Sequence, residues 1–136
     1  MTPGEIGLAI KRLQHRHHRA VDRALRALGV SLVQWDVLRH LHAEPDASGR
    51  RLAELTFQSA QAFGTLAQRM VDRGMLEREQ GPGRVVLHRI TPAGDKLRTK
   101  AQATVDRLTK RSFSALSQPE LDQLGALLAR ALATPL

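Results

Sequence analysis

The chain has 136 residues, the size of one domain, and its 21 Lys and Arg against 13 Asp and Glu give a formal charge of +8. It contains no cysteine, which excludes disulfide scaffolds, Cys-ligated zinc, iron–sulfur clusters and thiol catalysis. No apolar run approaches the roughly 18 residues of a membrane span, and the N-terminus lacks the pattern of a signal peptide, so we expect a cytoplasmic protein with no membrane partner.

The first half of the chain has the pattern of four helices, each with apolar residues along one face. Their predicted ranges are about 4–28, 32–42, 51–55 and 60–73. Glycines follow the first and fourth of these helices, and serines precede the second and fourth as N-caps. These residues are Gly29, Gly74, Ser31 and Ser59, with Gln58 as the alternative cap of the fourth helix.

A hairpin and a long helix follow. The β-prone runs 75–80 and 84–89 are joined by Gly81-Pro82-Gly83, which predicts two antiparallel strands with a tight tip. Thr91-Pro92 then places a capping residue and a first-turn proline at the start of a helix that we expect to reach about Leu116.

The terminal helices carry more apolar surface than so small a domain can cover. Ser117 and Glu120 form a capping box for the last helix. The apolar stripe of that helix consists of Leu121, Leu124, Leu128 and Leu132. We therefore predict a homodimer in which the terminal helices of two chains bury each other.

The excess positive charge favours a polyanionic partner. Single-stranded nucleic acid is usually held by exposed aromatic rings, and this chain has one Trp, three Phe and no Tyr. Double-stranded DNA fits the composition better, because it requires charge and a shaped element that enters a groove.

Four segments, in this order and spacing, resemble the MarR family of winged helix-turn-helix transcription regulators. They are Leu28–Trp35, Leu52–Leu55, Leu66–Arg78 and Ile90–Gly94. The resemblance covers about residues 10–132 and implies an all-α fold with a small β-wing. It implies a winged helix-turn-helix lobe over 31–91, flanked by helical dimerisation regions over 1–30 and 92–136.

The resemblance implies a homodimeric, sequence-specific regulator on a pseudo-palindromic operator, often a repressor released by a small ligand, with no cofactor. Two features depart from the family. Pro82 falls where relatives carry an acidic residue, so the matching wing arginine, Arg84, is expected to lack its steadying carboxylate. Ala60 and Thr65 stand where many relatives have Arg or Lys, so the recognition helix is lightly charged.

The resemblance makes the fourth helix the recognition helix, and its polar face is suited to base edges. Gln pairs with adenine, Thr bonds a base edge, and Ala contacts a thymine methyl group. The candidate DNA-binding residues of this helix and its entry are Gln58, Ser59, Gln61, Ala62, Thr65, Gln68 and Arg69. Arg84 is the candidate for the minor groove, and Arg50 and Arg51 are candidate phosphate contacts.

A small aromatic anion is the candidate effector, with His17, His18 and Trp35 as its candidate ligand-binding residues. Trp35 matches a family position near a cleft between the dimerisation helices and the DNA-binding lobe. The alternatives are that Trp35 fills the core and that His17 is either a hydrogen-bonded histidine at a helix interface or a pH-sensitive group. The histidine spacings do not bring three ligands together, so we predict no metal site.

Two other functions remain open from the sequence. A basic architectural protein coats duplex DNA without sequence preference, and a winged-helix module binds another protein. The mild charge of the recognition helix argues against the first, and the +8 charge argues against the second. The chain lacks the nucleophile-elbow, dinucleotide-binding and Walker motifs, so we predict no catalytic residues and no enzyme.

Overall fold

The computed structural model describes all residues, 1–136, as six helices and one two-stranded antiparallel sheet. The elements in chain order are α1 (Pro3–Arg26), α2 (Leu32–Ala43), α3 (Gly49–Leu55), α4 (Ala60–Asp72), β1 (Leu76–Gln80), β2 (Val86–Ile90), α5 (Pro92–Ser112) and α6 (Gln118–Leu132). The predicted fold class, mostly helical with a small wing, is confirmed. None of the six helices combines the length and the apolar character needed to cross a membrane.

Side-chain caps fix where the helices begin. The predicted caps are confirmed: Ser31, Ser59, Thr91 and Ser117 each accept a hydrogen bond from a backbone N–H in the first turn that follows. Such a cap contributes about 1 kcal/mol. Ser48 caps α3 in the same way, so this helix begins at Gly49, two residues before the predicted start at Arg51.

Two further predicted boundaries were wrong. The α5 helix ends at Ser112 and not near Leu116, and the hydroxyl of Ser114 donates to the carbonyl of Arg111 in the turn that follows. The β2 strand begins at Val86, two residues after the predicted start. The N–H of Gly81 donates to the carbonyl of Val85 at 2.8 Å, which keeps residues 81–85 in the hairpin tip.

Two apolar clusters support the fold, and α2 contributes to both. The first joins α2, α3, α4 and β1, and its fully buried side chains are Val37, Leu38, Leu41, Leu52, Met70 and Leu76. The second joins α1, α2 and α5, and it consists of Val21, Leu25, Val30, Trp35, Ala101 and Val105. Because α2 is shared, the helix-turn-helix and the long terminal helices are held by one continuous framework.

The start of α5 lies tightly against the start of the wing. The Thr91 hydroxyl donates to the carbonyl of Gly74, and the Thr91 N–H donates to the carbonyl of Met75 at 3.1 Å. A Cβ atom added to Gly94 would lie 2.2 Å from the Met75 carbonyl oxygen. Only glycine therefore allows this close approach between helix and strand.

Candidate nucleic-acid interface

The α4 helix has one buried face and one exposed polar face. Phe63, Ala67 and Met70 are buried against the first cluster, which turns the polar side chains outward. The N-terminal part of that polar face, with Leu66, lines one shallow open concavity. The structure thus brings together six of the predicted DNA-binding residues, namely Gln58, Ser59, Gln61, Ala62, Thr65 and Arg69.

Some side chains of this concavity are already hydrogen-bonded within the chain, and others are free. Ser59 accepts the N–H of Ala62 at 3.1 Å as the N-cap, and the Thr65 hydroxyl donates to the carbonyl of Gln61 at 3.2 Å. The Gln61 amide and the Arg69 guanidinium are exposed and form no hydrogen bond within the chain. These two groups, and the acceptor side of the Thr65 hydroxyl, are therefore available to base edges and phosphates.

Gln68 is placed differently from its neighbours. Its amide nitrogen donates to Asp72 at 2.7 Å, and its carbonyl oxygen accepts from Arg78 of β1. Both polar groups of this side chain are thus engaged within the protein. Gln68 links the recognition helix to the wing, a role that the sequence did not indicate.

The side-chain amide of Gln80 holds the backbone of the wing tip. The Gln80 side-chain nitrogen donates to the carbonyl of Gly83 at 2.9 Å, and Gly83 adopts a positive φ of 64°. The Gln80 amide thus supports the backbone of the tip, while Arg84 itself has no carboxylate partner, as the sequence predicts. Arg84 lies exposed on this tip with no ion pair.

The base of the wing is tied to the loop after α2. Arg89 of β2 bonds Glu79 on the neighbouring strand and lies 3.0 Å from Asp46. The hydrogen bond to Glu79, then that to Asp46, raises the pKa of Arg89. This network fixes the wing relative to the helix-turn-helix, and the two sides of it lie 43 residues apart in sequence.

The two candidate phosphate contacts at α3 are not equivalent. Arg51 forms two hydrogen bonds to Glu44, of 3.1 and 3.0 Å, and this pairing raises the pKa of Arg51 and lowers the pKa of Glu44. Arg50 lies 3.6 Å from Glu54 with its side chain 90% exposed. Because the charge of Arg51 is already compensated, Arg50 is the better placed of the two to meet a phosphate.

The three candidate ligand-binding residues do not meet in one open cleft. Trp35 is 6% exposed in the second cluster, with the Arg39 guanidinium 5.3 Å from the ring centroid, while His18 lies exposed on α1. His17 bridges α1 and α5, with Nδ1 at 3.0 Å from the Ser112 hydroxyl. His17 also lines a small hollow between these helices, which the Trp35 ring does not line.

Comparison with known proteins supports the assignment of a helix-turn-helix followed by a wing. The family model described as "MarR family" matches residues 28–84, which include α2, α3, α4, β1 and the wing tip. Over these residues the chain is similar to the MarR family. This is a family of transcription regulators and not of enzymes.

Similar proteins are known in several bacteria. An "HTH-type transcriptional repressor" of Mycobacterium tuberculosis is 29% identical over 102 residues, covering 74% of this chain and 73% of the relative. The crystal structure of that mycobacterial protein in complex with salicylic acid has a TM-score of 0.77 at 26% identity, covering 96% and 97% of the two chains. A mutant MarR from E. coli complexed with operator DNA has a TM-score of 0.85 at 21% identity, covering 94% of each chain, and shares the fold.

Phe57 is a feature of this helix-turn-helix that the sequence did not reveal. It lies in the turn between α3 and α4 with 97% of its surface exposed and a positive φ of 55°. Its N–H donates to the carbonyl of Glu54 at 3.2 Å, and the N–H of Gln58 donates to that of Ala53 at 2.9 Å. These bonds form a Schellman motif, whose left-handed position is usually Gly and costs another residue about 1–3 kcal/mol.

Proposed function

We propose that the protein is a homodimeric, sequence-specific DNA-binding repressor. The observation that carries this proposal is the exposed, mostly uncharged polar face at the N-terminal end of α4, opposite a face that is fixed in the core. A solvated helix face is normally rich in Lys and Glu, whereas this one presents Gln, Ser, Ala and Thr, which are suited to base edges. The mycobacterial repressor and the operator-bound E. coli MarR support the same assignment.

The proposed binding mode places α4 in the major groove. The Gln61 amide faces an adenine, the Thr65 hydroxyl faces a base edge, and Arg69 neutralises a phosphate. Arg84, on the supported wing tip, reaches the neighbouring minor groove, where narrow A·T-rich DNA attracts arginine. In this proposal residues 31–91 form the DNA-binding lobe.

The terminal helices, within 1–30 and 92–136, form the proposed dimerisation region. No residue of α6 is buried, and its Leu127 and Leu132 are 51% and 86% exposed. Ile6 and Ile10 of α1 are also about half exposed, at 46% and 49%. Pairing with a second copy covers these side chains and sets two recognition helices about 34 Å apart, one turn of DNA.

A small aromatic anion is the proposed effector that releases the operator. The salicylic acid complex of the mycobacterial relative supports this chemistry. Bound in the hollow between α1 and α5 that His17 lines, such an anion favours a helix spacing that no longer matches the two grooves. Titration of salicylate is then expected to change Trp35 fluorescence and to weaken DNA binding together. A broad panel of aromatic anions that changes neither signal would exclude this site.

Selection of bound fragments from random-sequence DNA tests the central proposal. The wild-type protein is expected to enrich a roughly two-fold symmetric sequence and to bind it about 10³-fold or more tighter than a shuffled duplex. Fluorescence anisotropy across a salt series measures both affinities. Equal affinity for the two duplexes would favour the architectural function, in which the protein coats DNA without sequence preference.

A further inference from the structure

Phe57 carries a conformational cost that no burial of its ring within the chain offsets. The Schellman hydrogen bonds hold it in a left-handed conformation that glycine adopts freely. Its ring is also almost fully in water, at 97% exposure, and joins neither apolar cluster. A strained backbone position that is occupied by a ring packing on nothing within the chain points to a contact outside the chain.

The surroundings of Phe57 indicate what that contact is. The ring precedes the α4 cap, Ser59, by two residues, and the intervening Gln58 lines the polar concavity at the start of the recognition helix. The unburied apolar residues of the proposed dimer interface belong to α1 and α6, not to this turn. The occupant most consistent with this position is therefore the duplex that α4 enters.

We propose that the Phe57 ring packs on the C5-methyl group of a thymine at the edge of the major groove and selects for that base. Thymine is the only base that presents a methyl group there, and aromatic side chains contact it directly. The contact needs no charge, which fits a residue that neither donates nor accepts through its side chain. This inference rests on the proposed function and adds a specificity-determining residue to it.

Two variants separate the ring from the backbone strain. Phe57→Gly and Phe57→Ala both remove the ring, but only glycine relieves the left-handed conformation. We expect both to bind the selected duplex about fivefold or more weakly and the shuffled duplex unchanged. We also expect Phe57→Gly to melt at a higher temperature than the wild type, so that weaker binding is not explained by a damaged fold. Phe57→Tyr keeps the ring and is expected to retain binding.

Replacing each thymine of the selected duplex by uracil removes one methyl group at a time. One such position is expected to weaken wild-type binding by the same factor as Phe57→Gly and to have no further effect on that variant. Unchanged affinity of Phe57→Gly, an equal loss on both duplexes, or a change in its mass by light scattering would overturn the thymine contact. If the wild type prefers the selected duplex and Phe57→Gly binds it with the same affinity, only this inference is overturned. A wild type without any preference overturns the proposed function as well.

Discussion

The imidazole of His88 stands edge-on to the ring of Phe63, with the ring centroids 5.8 Å apart and the planes at 89°. Phe63 lies on the buried face of α4 and His88 lies in β2, so the pair joins the recognition helix to the wing. His88 is only 7% exposed, and its Nδ1 has no hydrogen-bond partner in the chain. Burial, with a smaller contribution from the charge of Arg78, lowers the pKa of His88.

The lowered pKa of His88 predicts a loss of stability in mild acid. The unfolded chain takes up this proton near its ordinary pKa of 6.5, whereas the folded chain resists it to lower pH. The free energy of unfolding is therefore highest above pH 6.5 and falls as the pH drops through the folded pKa. Urea unfolding between about pH 7 and pH 5 measures this slope.

Two variants identify the group responsible. His88→Phe keeps an aromatic ring against Phe63 and is expected to flatten the pH dependence. His15→Gln changes a histidine that is exposed on α1 and is expected to leave it unchanged. A His88→Phe protein that still loses stability over this range would assign the effect to another group. The carboxyls with lowered pKa, Glu5, Asp22 and Glu44, have ordinary values of 4.5, 3.8 and 4.5 and act in stronger acid.

Gly94→Ala is expected to destabilise the protein by about 1–3 kcal/mol. The new Cβ would press against the Met75 carbonyl, and the start of α5 would have to move away from β1. Gly64→Ala is the matched control, because its Cβ meets nothing within 4 Å on the exposed face of α4. We expect that change to stabilise the helix by about 0.5–1 kcal/mol. Equal effects in thermal unfolding would contradict the close approach at Gly94.

Thr65→Ala and Arg84→Ala are expected to weaken DNA binding in different ways. Loss of the Thr65 hydroxyl removes base readout and costs about 1–3 kcal/mol on the selected duplex, with little change on a shuffled one. Loss of the Arg84 charge weakens both and lowers the salt slope by about one unit, since one fewer counterion is released. Anisotropy titrations of both variants on both duplexes test this. A Thr65→Ala loss that is the same on both duplexes counts against base readout at this position.

Leu128→Glu is expected to disrupt the proposed dimer. Leu128 lies on the apolar stripe of α6, and a buried unpaired carboxylate there opposes association. Light scattering at micromolar concentration is expected to give about twice 15.0 kDa for the wild type and about 15.0 kDa for this variant. Ala126→Glu, on the opposite side of the same helix, is the control and is expected to remain a dimer. If Leu128→Glu keeps the wild-type mass, the stripe is not the interface.

The sequence predicted what short-range chemistry controls. Ser59 and Thr91 were recognisable as caps because each bonds an N–H three residues further along the chain. The exposed face of α4 followed from the spacing of Phe63, Leu66 and Met70, although Leu66 is only half-buried and lines the polar concavity. The helix order and the wing are therefore encoded in patterns that extend over only a few neighbouring residues.

Contacts between distant residues were not predictable in the same way. The ion pair of Arg89 with Asp46 joins residues 43 positions apart, and nothing in the local sequence marks either partner. Trp35 is a core residue only because α1 and α5 pack around it. Phe57 shows the reverse effect, because an aromatic residue whose exposure contradicts its type is identified only when the turn is seen in three dimensions.

The bonds that Gln68 makes to Asp72 and to Arg78 limit how the recognition helix α4 can be exchanged for that of a relative. A recognition helix grafted from a relative without its first wing strand would leave Arg78 facing a side chain that does not accept its guanidinium. The segment to exchange is therefore the continuous one from Ser59 to Ile90, which contains the helix, both strands and the wing tip with its Gln80 and Glu79 bonds. New operator specificities are best built by replacing that segment whole.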